Sequence, residues 1–407
     1  MTVKYNTDFV LSFLCAYVLL MATGKALNLD MSTFIYIFCL IIMISNTIFL
    51  LHKYKYLDKN LILFFLIIII LTVVNVLVNN LGYIELVKII GTKMFFFIGT
   101  LSVIKKKSTS TKTKYQLLIL MGAPLIIVIL QMLHFIDSQS SEGLSNDFSD
   151  VGISSIFVNK NNAIFYFIAL APFLYFLDYN KKFIFLYLIF MALLFNTLGA
   201  VVALFMASAI VYFRLSLKSL VFSIFIIITL SIVVFLLAKI GSPTIERLIN
   251  AYTISIQLFN TYSFSEITEL NFGEVVQLTG STDLSLFFRI IHWLDIFYYY
   301  CNAPFYNQLF GIGVDNIQNI SKIKLVAHND WLKMLVEIGF LYFITYLIFI
   351  LVVLKNIAKI DRMVTLFFIT ILIYLFSDNL ITNFLSMSLF YYFLGLIYKK
   401  SNRHFQL

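Results

Sequence analysis

Long apolar runs, broken by short basic or polar segments, set the pattern of this chain. Twelve such runs stand out, at roughly 9–23, 31–51, 61–79, 85–104, 116–136, 161–177, 183–197, 198–213, 219–238, 331–354, 363–377 and 384–398. A helix needs about 20 apolar residues to cross the hydrocarbon core, within a range of about 17–25. Lipid offers no partner to a free backbone polar group, so a spanning segment is a helix or part of a closed barrel. These runs are too long and too uniformly apolar for barrel strands. They predict an all-α polytopic membrane protein of about 12 transmembrane helices. The seventh and eighth runs are short and meet at 196–199, where the pattern marks the boundary least sharply. No small-residue cleavage site follows the first run, so it is expected to stay as a span. No internal repeat is visible, which speaks against the repeat-built transporter folds.

The spacing divides the chain into transmembrane helices 1–9 over 1–238, an extracytoplasmic loop over 239–330, and helices 10–12 over 331–407. A structureless loop of that length is unusual in a compact protein, so the middle segment is expected to be a lid of short helices. Its stretch LSLFFRIIHWLDIFYYY (284–300) is apolar on most sides and is expected to lie in the outer membrane interface.

Composition agrees: 61% of the residues are hydrophobic and only 12% are charged, against about 25% charged in an ordinary soluble domain. That excludes a cytosolic enzyme, a disordered chain and a fibrous repeat. The net charge of +9 has a topological origin. With both termini cytoplasmic, 19 Lys and Arg fall inside and 8 outside, and Lys88 and Lys93 lie within the fourth run. This is the positive-inside pattern, not a nucleic-acid footprint. The three cysteines form no disulfide framework and no zinc spacing.

Most polar candidates gather in or beside the outward loop. The densest segment is GIGVDNIQNISKIKLVAHNDWLKMLVEIG (311–339). Gly311 and Gly313 allow a tight turn close to the membrane. His328 can act as a general base or a hydrogen-bond donor, or can be a plain interface histidine. Asn329 and Asp330 can each cap the helix that follows. Arg289 sits among apolar neighbours and needs an anionic partner; guanidinium matches phosphate in a fork. Helical spacing puts Arg289, His292 and Trp293 on one face. His292 is a rival to His328, and a pairing with Asp295 is its simpler role. Arg247 beside Glu246 is a second phosphate ligand or a salt-bridged surface residue. Charge inside a membrane is costly and marks function by default. Lys88 has Glu85 one turn back as a partner, whereas Lys93 lies deeper with none evident, so Lys93 is the better anion site. Asn159, Asn161 and Asn162 open the sixth run and can bind sugar hydroxyls or simply start a helix. Asp378, near Asn379 and Asn383, has no assigned role. No Gly-rich phosphate loop, zinc-protease helix, serine elbow or paired-aspartate metal motif is present.

Gly311-x-Gly313, His328-Asn329, and Leu335 with Gly339 leading into a span together resemble the O-antigen polymerase (Wzy-type) and O-antigen ligase superfamily. An upstream Arg in the same loop, here Arg289 in RIIHWLDIF, and the Asn-rich start of FVNKNNAIFYFIALAPFLYFL (157–177) resemble it as well. The resemblance in layout covers nearly the whole chain; in motif it covers 157–200 and 285–345. It implies a GT-C-like glycosyltransferase of the bacterial inner membrane. Such an enzyme transfers glycan from undecaprenyl diphosphate to an acceptor sugar on the outer face, without metal or cofactor. Its surroundings are the bilayer, and a chain-length regulator is a partner of such systems. Carried over, Arg289 holds diphosphate and His328 serves the acceptor; Asn329 and Asn162 are further candidates for binding diphosphate or glycan. Where the family often has a second Gly soon after Gly339, this chain reads FLYF. Where it often has an Arg at the eighth span, the chain reads NTLGA (196–200), so Lys93, Lys88 or Arg247 are left to share the diphosphate. A ligase acting on lipid A-core and a lipid-linked glycan carrier remain open alternatives.

This topology predicts that reporter fusions after residues 107, 182 and 400 are active in the cytoplasm. Fusions after 140 and 260 are expected to report the opposite side, and inverted results at the termini would overturn the orientation.

Overall fold

The computed structural model describes residues 7–53, 57–102, 111–136, 153–157, 159–176, 179–195, 197–212, 252–254, 256–267, 270, 272–279, 285–322 and 324–403. Among them the structure is helical, with no strand. The first eight helices are α1 (Thr7–Ala26), α2 (Ser32–Lys53), α3 (Lys59–Asn79), α4 (Tyr83–Leu101), α5 (Thr111–Met132), α6 (Lys160–Phe176), α7 (Lys181–Leu194) and α8 (Leu198–Tyr212). Then come α9 (Phe264–Ile267), α10 (Phe272–Thr279), the longer α11 (Ser285–Asn302), α12 (Phe305–Phe310), α13 (Ile317–Ile320) and α14 (Asp330–Lys333). The chain ends with α15 (Phe340–Ile357), α16 (Arg362–Tyr374) and α17 (Phe384–Arg403).

Eleven of the apolar runs fall on these helices, and the run at 219–238 lies outside the described residues. Among the described residues four helices are long and apolar enough to cross a membrane: 33–53, 59–79, 115–132 and 340–357. α1, α4, α11 and α17 are of comparable length, with 20, 19, 18 and 20 residues, and the remaining helices are shorter. The run 331–354 is not one helix: it divides into α14, one turn of π-helix (Met334–Ile338) and α15. Gly339 makes the break, with φ 100°.

Two kinds of apolar helix are present. α4 and α6 are buried on nearly every side, over residues 89–99 and 163–174 respectively. α17 is buried likewise from 384 to 398. α2, α3, α5 and α7 instead expose large side chains such as Ile48, Leu51, Leu63, Leu77, Leu118 and Leu186. In water so much exposed apolar surface would drive aggregation; facing lipid tails it costs nothing, because the tails are as apolar as leucine.

α4 and α17 form the central pair, and glycine lets them touch. A Cβ on Gly395 would meet the Phe96 carbonyl oxygen, and one on Gly99 would meet that of Tyr392. Small residues at a crossing let backbones approach and gain dispersion contact. Gly395→Val is therefore expected to destabilise the protein by about 1–3 kcal/mol. Gly122→Ala in α5, where an added Cβ meets nothing within 4 Å, is expected to be neutral or to gain a few tenths of a kcal/mol. Unfolding in detergent measures both; equal effects would mean that the crossing is not tight.

Candidate functional site

The site begins with α11. Its Arg289, His292 and Trp293 do share a face, and that face holds the extended segment before His328. His292 Nε2 lies 3.1 Å from the carbonyl oxygens of both Leu325 and Val326. Trp293 Nε1 donates to Ala327 O at 2.6 Å, and Arg289 Nη1 donates to Ser377 O at 3.0 Å. Because carbonyls only accept, His292 carries its hydrogen on Nε2. Burial pushes its pKa down, the two carbonyl bonds oppose that, and nearby His328 adds to the lowering. His292 thus serves the backbone of 325–326. The expected pairing with Asp295 does not occur; Asp295 accepts from Lys322 N instead, at 3.0 Å.

His328 follows in the left-handed region, with φ 47°. Its Nδ1 lies 3.0 Å from Asp378 Oδ1, with the aspartate side chain 4% exposed and the histidine 22%. A carboxylate only accepts, so Nδ1 carries the hydrogen, and Nε2 is the ring nitrogen turned away from Asp378. Asp378 also accepts from Asn161 Nδ2 and from Asn379 N. Burial pushes the Asp378 carboxyl up. The His328 hydrogen bond and charge, the Arg289 guanidinium and the Asn379 N–H outweigh it and hold the group below its ordinary value. It is ionised throughout the neutral range. Tyr374 OH lies 3.2 Å from Asn161 Oδ1 and steadies that amide.

Asn329 is the N-cap of α14, accepting from Trp331 N and Leu332 N at 3.1 Å each. Asp330 does not cap this helix. Its Oδ2 accepts from Leu380 N at 2.6 Å and Ile381 N at 2.8 Å, and its own N–H donates to Leu375 O at 2.8 Å. The carboxylate therefore ties the His328 segment to the turn that carries Asp378. On the other side, Gly311 and Gly313 adopt φ 83° and 108°, and Ile312 N and Gly313 N donate to Val336 O and Glu337 O. Asn75 seals this junction, donating to Phe310 O and Glu337 O and accepting from Val314 N.

The other candidates are spread out. Lys88 pairs with Glu85 at 3.0 Å. Lys93 is 2% exposed. It lies 5.3–5.7 Å from the ring centres of Tyr342, Tyr346 and Tyr391 and donates to Ile89 O. This is a cation–π cage, and an anion reaching Lys93 would have to part the rings. Asn162 Oδ1 accepts from Asn383 Nδ2 at 3.0 Å. Arg247 lies outside the described residues. Among those described, no group of three His, Cys, Asp or Glu is arranged to hold a metal.

Beside the His328–Asp378 pair is a cavity of about 730 Å³. Asn162, Asn379, Thr382, Asn383, Glu85 and Lys88 line it together with apolar and aromatic side chains. Sequence reasoning left Asp378 without a role and had no sign of its pairing. The one available hint was topological, since 378 and 328 flank a helical hairpin and so return to the same end of the bundle. In comparisons with known proteins, the chain matches no family model and no curated protein.

Asp330→Ala would leave two buried N–H groups unpaired, at about 1–3 kcal/mol each. The variant is expected to unfold earlier in a detergent melt than Asp330→Asn, which keeps an acceptor. Matching melts for the two would remove the clamp role.

Proposed function

We propose that the protein is a membrane glycosyltransferase that polymerises the lipid-linked repeat unit of O-antigen or a related surface polysaccharide. In this reading about twelve spans form a GT-C-like bundle in the bacterial inner membrane with both termini cytoplasmic. The observation that carries it is the His328–Asp378 pair, with Arg289 hydrogen-bonded next door at Ser377. A histidine whose Nδ1 is held by a buried carboxylate and whose Nε2 is bare is suited to take a proton.

The acceptor sugar hydroxyl gives its proton to His328 Nε2 as its oxygen bonds to the anomeric carbon of the donor glycan. The bond between that carbon and the diphosphate oxygen breaks, and undecaprenyl diphosphate leaves with the electron pair. Asp378 stabilises the imidazolium that forms. Arg289 is the cation assigned to the developing diphosphate charge, where a positioned donor contributes most. Lys88 is already neutralised by Glu85 and Lys93 is enclosed by rings, so neither replaces it.

A gel of surface polysaccharide from a deletion strain, with lipid-linked glycan measured beside it, tests the reading. Lipid A-core bearing a single repeat is expected. Bare core with long polymer stranded on undecaprenyl diphosphate would mean ligase, and an unchanged ladder would favour a carrier or another glycan. Restoring the gene as His328→Ala is expected to lose activity by about 10²–10⁴-fold, with normal membrane insertion. Asp378→Asn should fall in the same direction. Arg289→Lys keeps the charge and loses the fork, so activity should drop at least about tenfold; full activity would exclude bidentate phosphate binding.

A further inference from the structure

The cavity beside the His328–Asp378 pair is built by one end of the bundle. Tyr17 and Met21 come from the second half of α1, Tyr36 and Cys39 from α2, Glu85 and Lys88 from the first turns of α4, and Asn162 from the first turn of α6. Asn379, Thr382 and Asn383 come from the turn between α16 and α17. Its volume of about 730 Å³ lies within the ~300–1,000 Å³ usual for small-molecule sites. Two covalent neighbours join it to the dyad: Asn379 follows Asp378, and Asn161, which donates to Asp378, precedes Asn162.

The lining decides which chemistry fits. Three carboxamides and two threonine hydroxyls offer donors and acceptors, as sugar hydroxyls require. Tyr17, Tyr36, Phe157 and Phe384 supply flat apolar walls for the C–H face of a pyranose ring. Charge argues against an anion. Glu85, Asp315 and Lys88 are the charged residues of the lining; Lys88 is bonded to Glu85 and Asp315 to Lys333 at 3.5 Å, so no lining cation is left to meet an anion. α6 and α17 begin at the wall, and helix starts favour anions. Here, however, Asn159 Oδ1 accepts from Asn162 N and Asn383 Oδ1 from Ser386 N, so the chain's own caps occupy those N–H groups.

We propose that this cavity seats the terminal sugar of the acceptor, an uncharged pyranose, while the diphosphate stays outside it on the Arg289 side. The assignment rests on the polymerase reading. It extends that reading by naming the wall formed by α1, α2 and α4, remote in sequence from the loop that carries His328 and Arg289, as the surface that selects the acceptor.

The test uses the full-length protein carrying Cys301→Ser and Cys39→Ala, which remove the exposed thiol and the native thiol of the cavity wall, with Thr382→Cys as a reporter in the cavity. A water-soluble maleimide labels the new thiol. Two probes compete: the repeat-unit oligosaccharide from the deletion strain, freed from its lipid by mild acid, and undecaprenyl diphosphate itself. The oligosaccharide is expected to slow labelling about tenfold at ten times its Kd, and the lipid diphosphate to have little effect. Equal protection by both, or protection by the lipid diphosphate alone, would overturn the assignment and make the cavity the diphosphate site. Protection by neither would also overturn it. If Thr382→Cys does not fold, Thr33→Cys on the facing wall carries the same test. The polymerase reading is judged separately: a ladder lost on deletion with no protection by oligosaccharide sinks the cavity assignment alone. An unchanged ladder sinks the polymerase reading itself.

Discussion

The end of the bundle where the candidate chemistry lies depends on one buried carboxylate. Asp330 is fully enclosed and accepts from two successive N–H groups, Leu380 and Ile381, while its own N–H reaches back to Leu375. Two non-helical stretches far apart in sequence are joined by it, the one carrying His328 and the one carrying Asp378. Irregular backbone at membrane depth is tolerable only where protein satisfies it. Asp330 does that with a single side-chain oxygen that accepts from two successive backbone N–H groups. Asn75 performs the matching task on the facing side, filling the junction where the backbones at Gly311 and Gly339 are too close for any side chain.

Much of the architecture was legible because lipid leaves few choices. Hydropathy located ten of the described helices to within a few residues. The run 331–354 misled because its composition is apolar across Gly339. Only the packing of Gly339 against 309–311, a contact between distant segments, reveals that the helix must break there. Asp330 was misread for the same reason. A carboxylate before a helix reads locally as a cap, and the rival demand for acceptors came from residues 50 positions away, invisible to any local rule. The shared face of Arg289, His292 and Trp293 was readable from helical period alone. What that face touches was not.

The separation of charges carries the functional argument further than any single residue does. Lys88 and Lys93, the intramembrane lysines, are both answered within the protein, one by Glu85 and one by three tyrosine rings. A ligand anion approaching either lysine must first displace those partners. Arg289 differs. It is partly exposed, sits beside the dyad and presents a planar fork, of which Ser377 O takes one hydrogen. Of these three cations Arg289 alone combines partial exposure with a place beside the His328–Asp378 pair.

His328 shows how the fold holds an unfavourable conformation where it is useful. A left-handed histidine costs of order 1 kcal/mol, and such a conformation persists only when the surroundings over-determine it. Here they do so from both directions. The three residues before it are fixed through their carbonyls by His292 and Trp293, and the two after it by the Asn329 cap and the Asp330 clamp. With the backbone pinned on each side, the side chain is directed at Asp378, and Asn161 and Asn379 fix the carboxylate in turn. The imidazole thus enters any proton transfer already oriented, with its tautomer set by a partner that cannot donate. Positioning of this kind is worth more than raw basicity, because the reaction does not have to pay for it in entropy at the barrier.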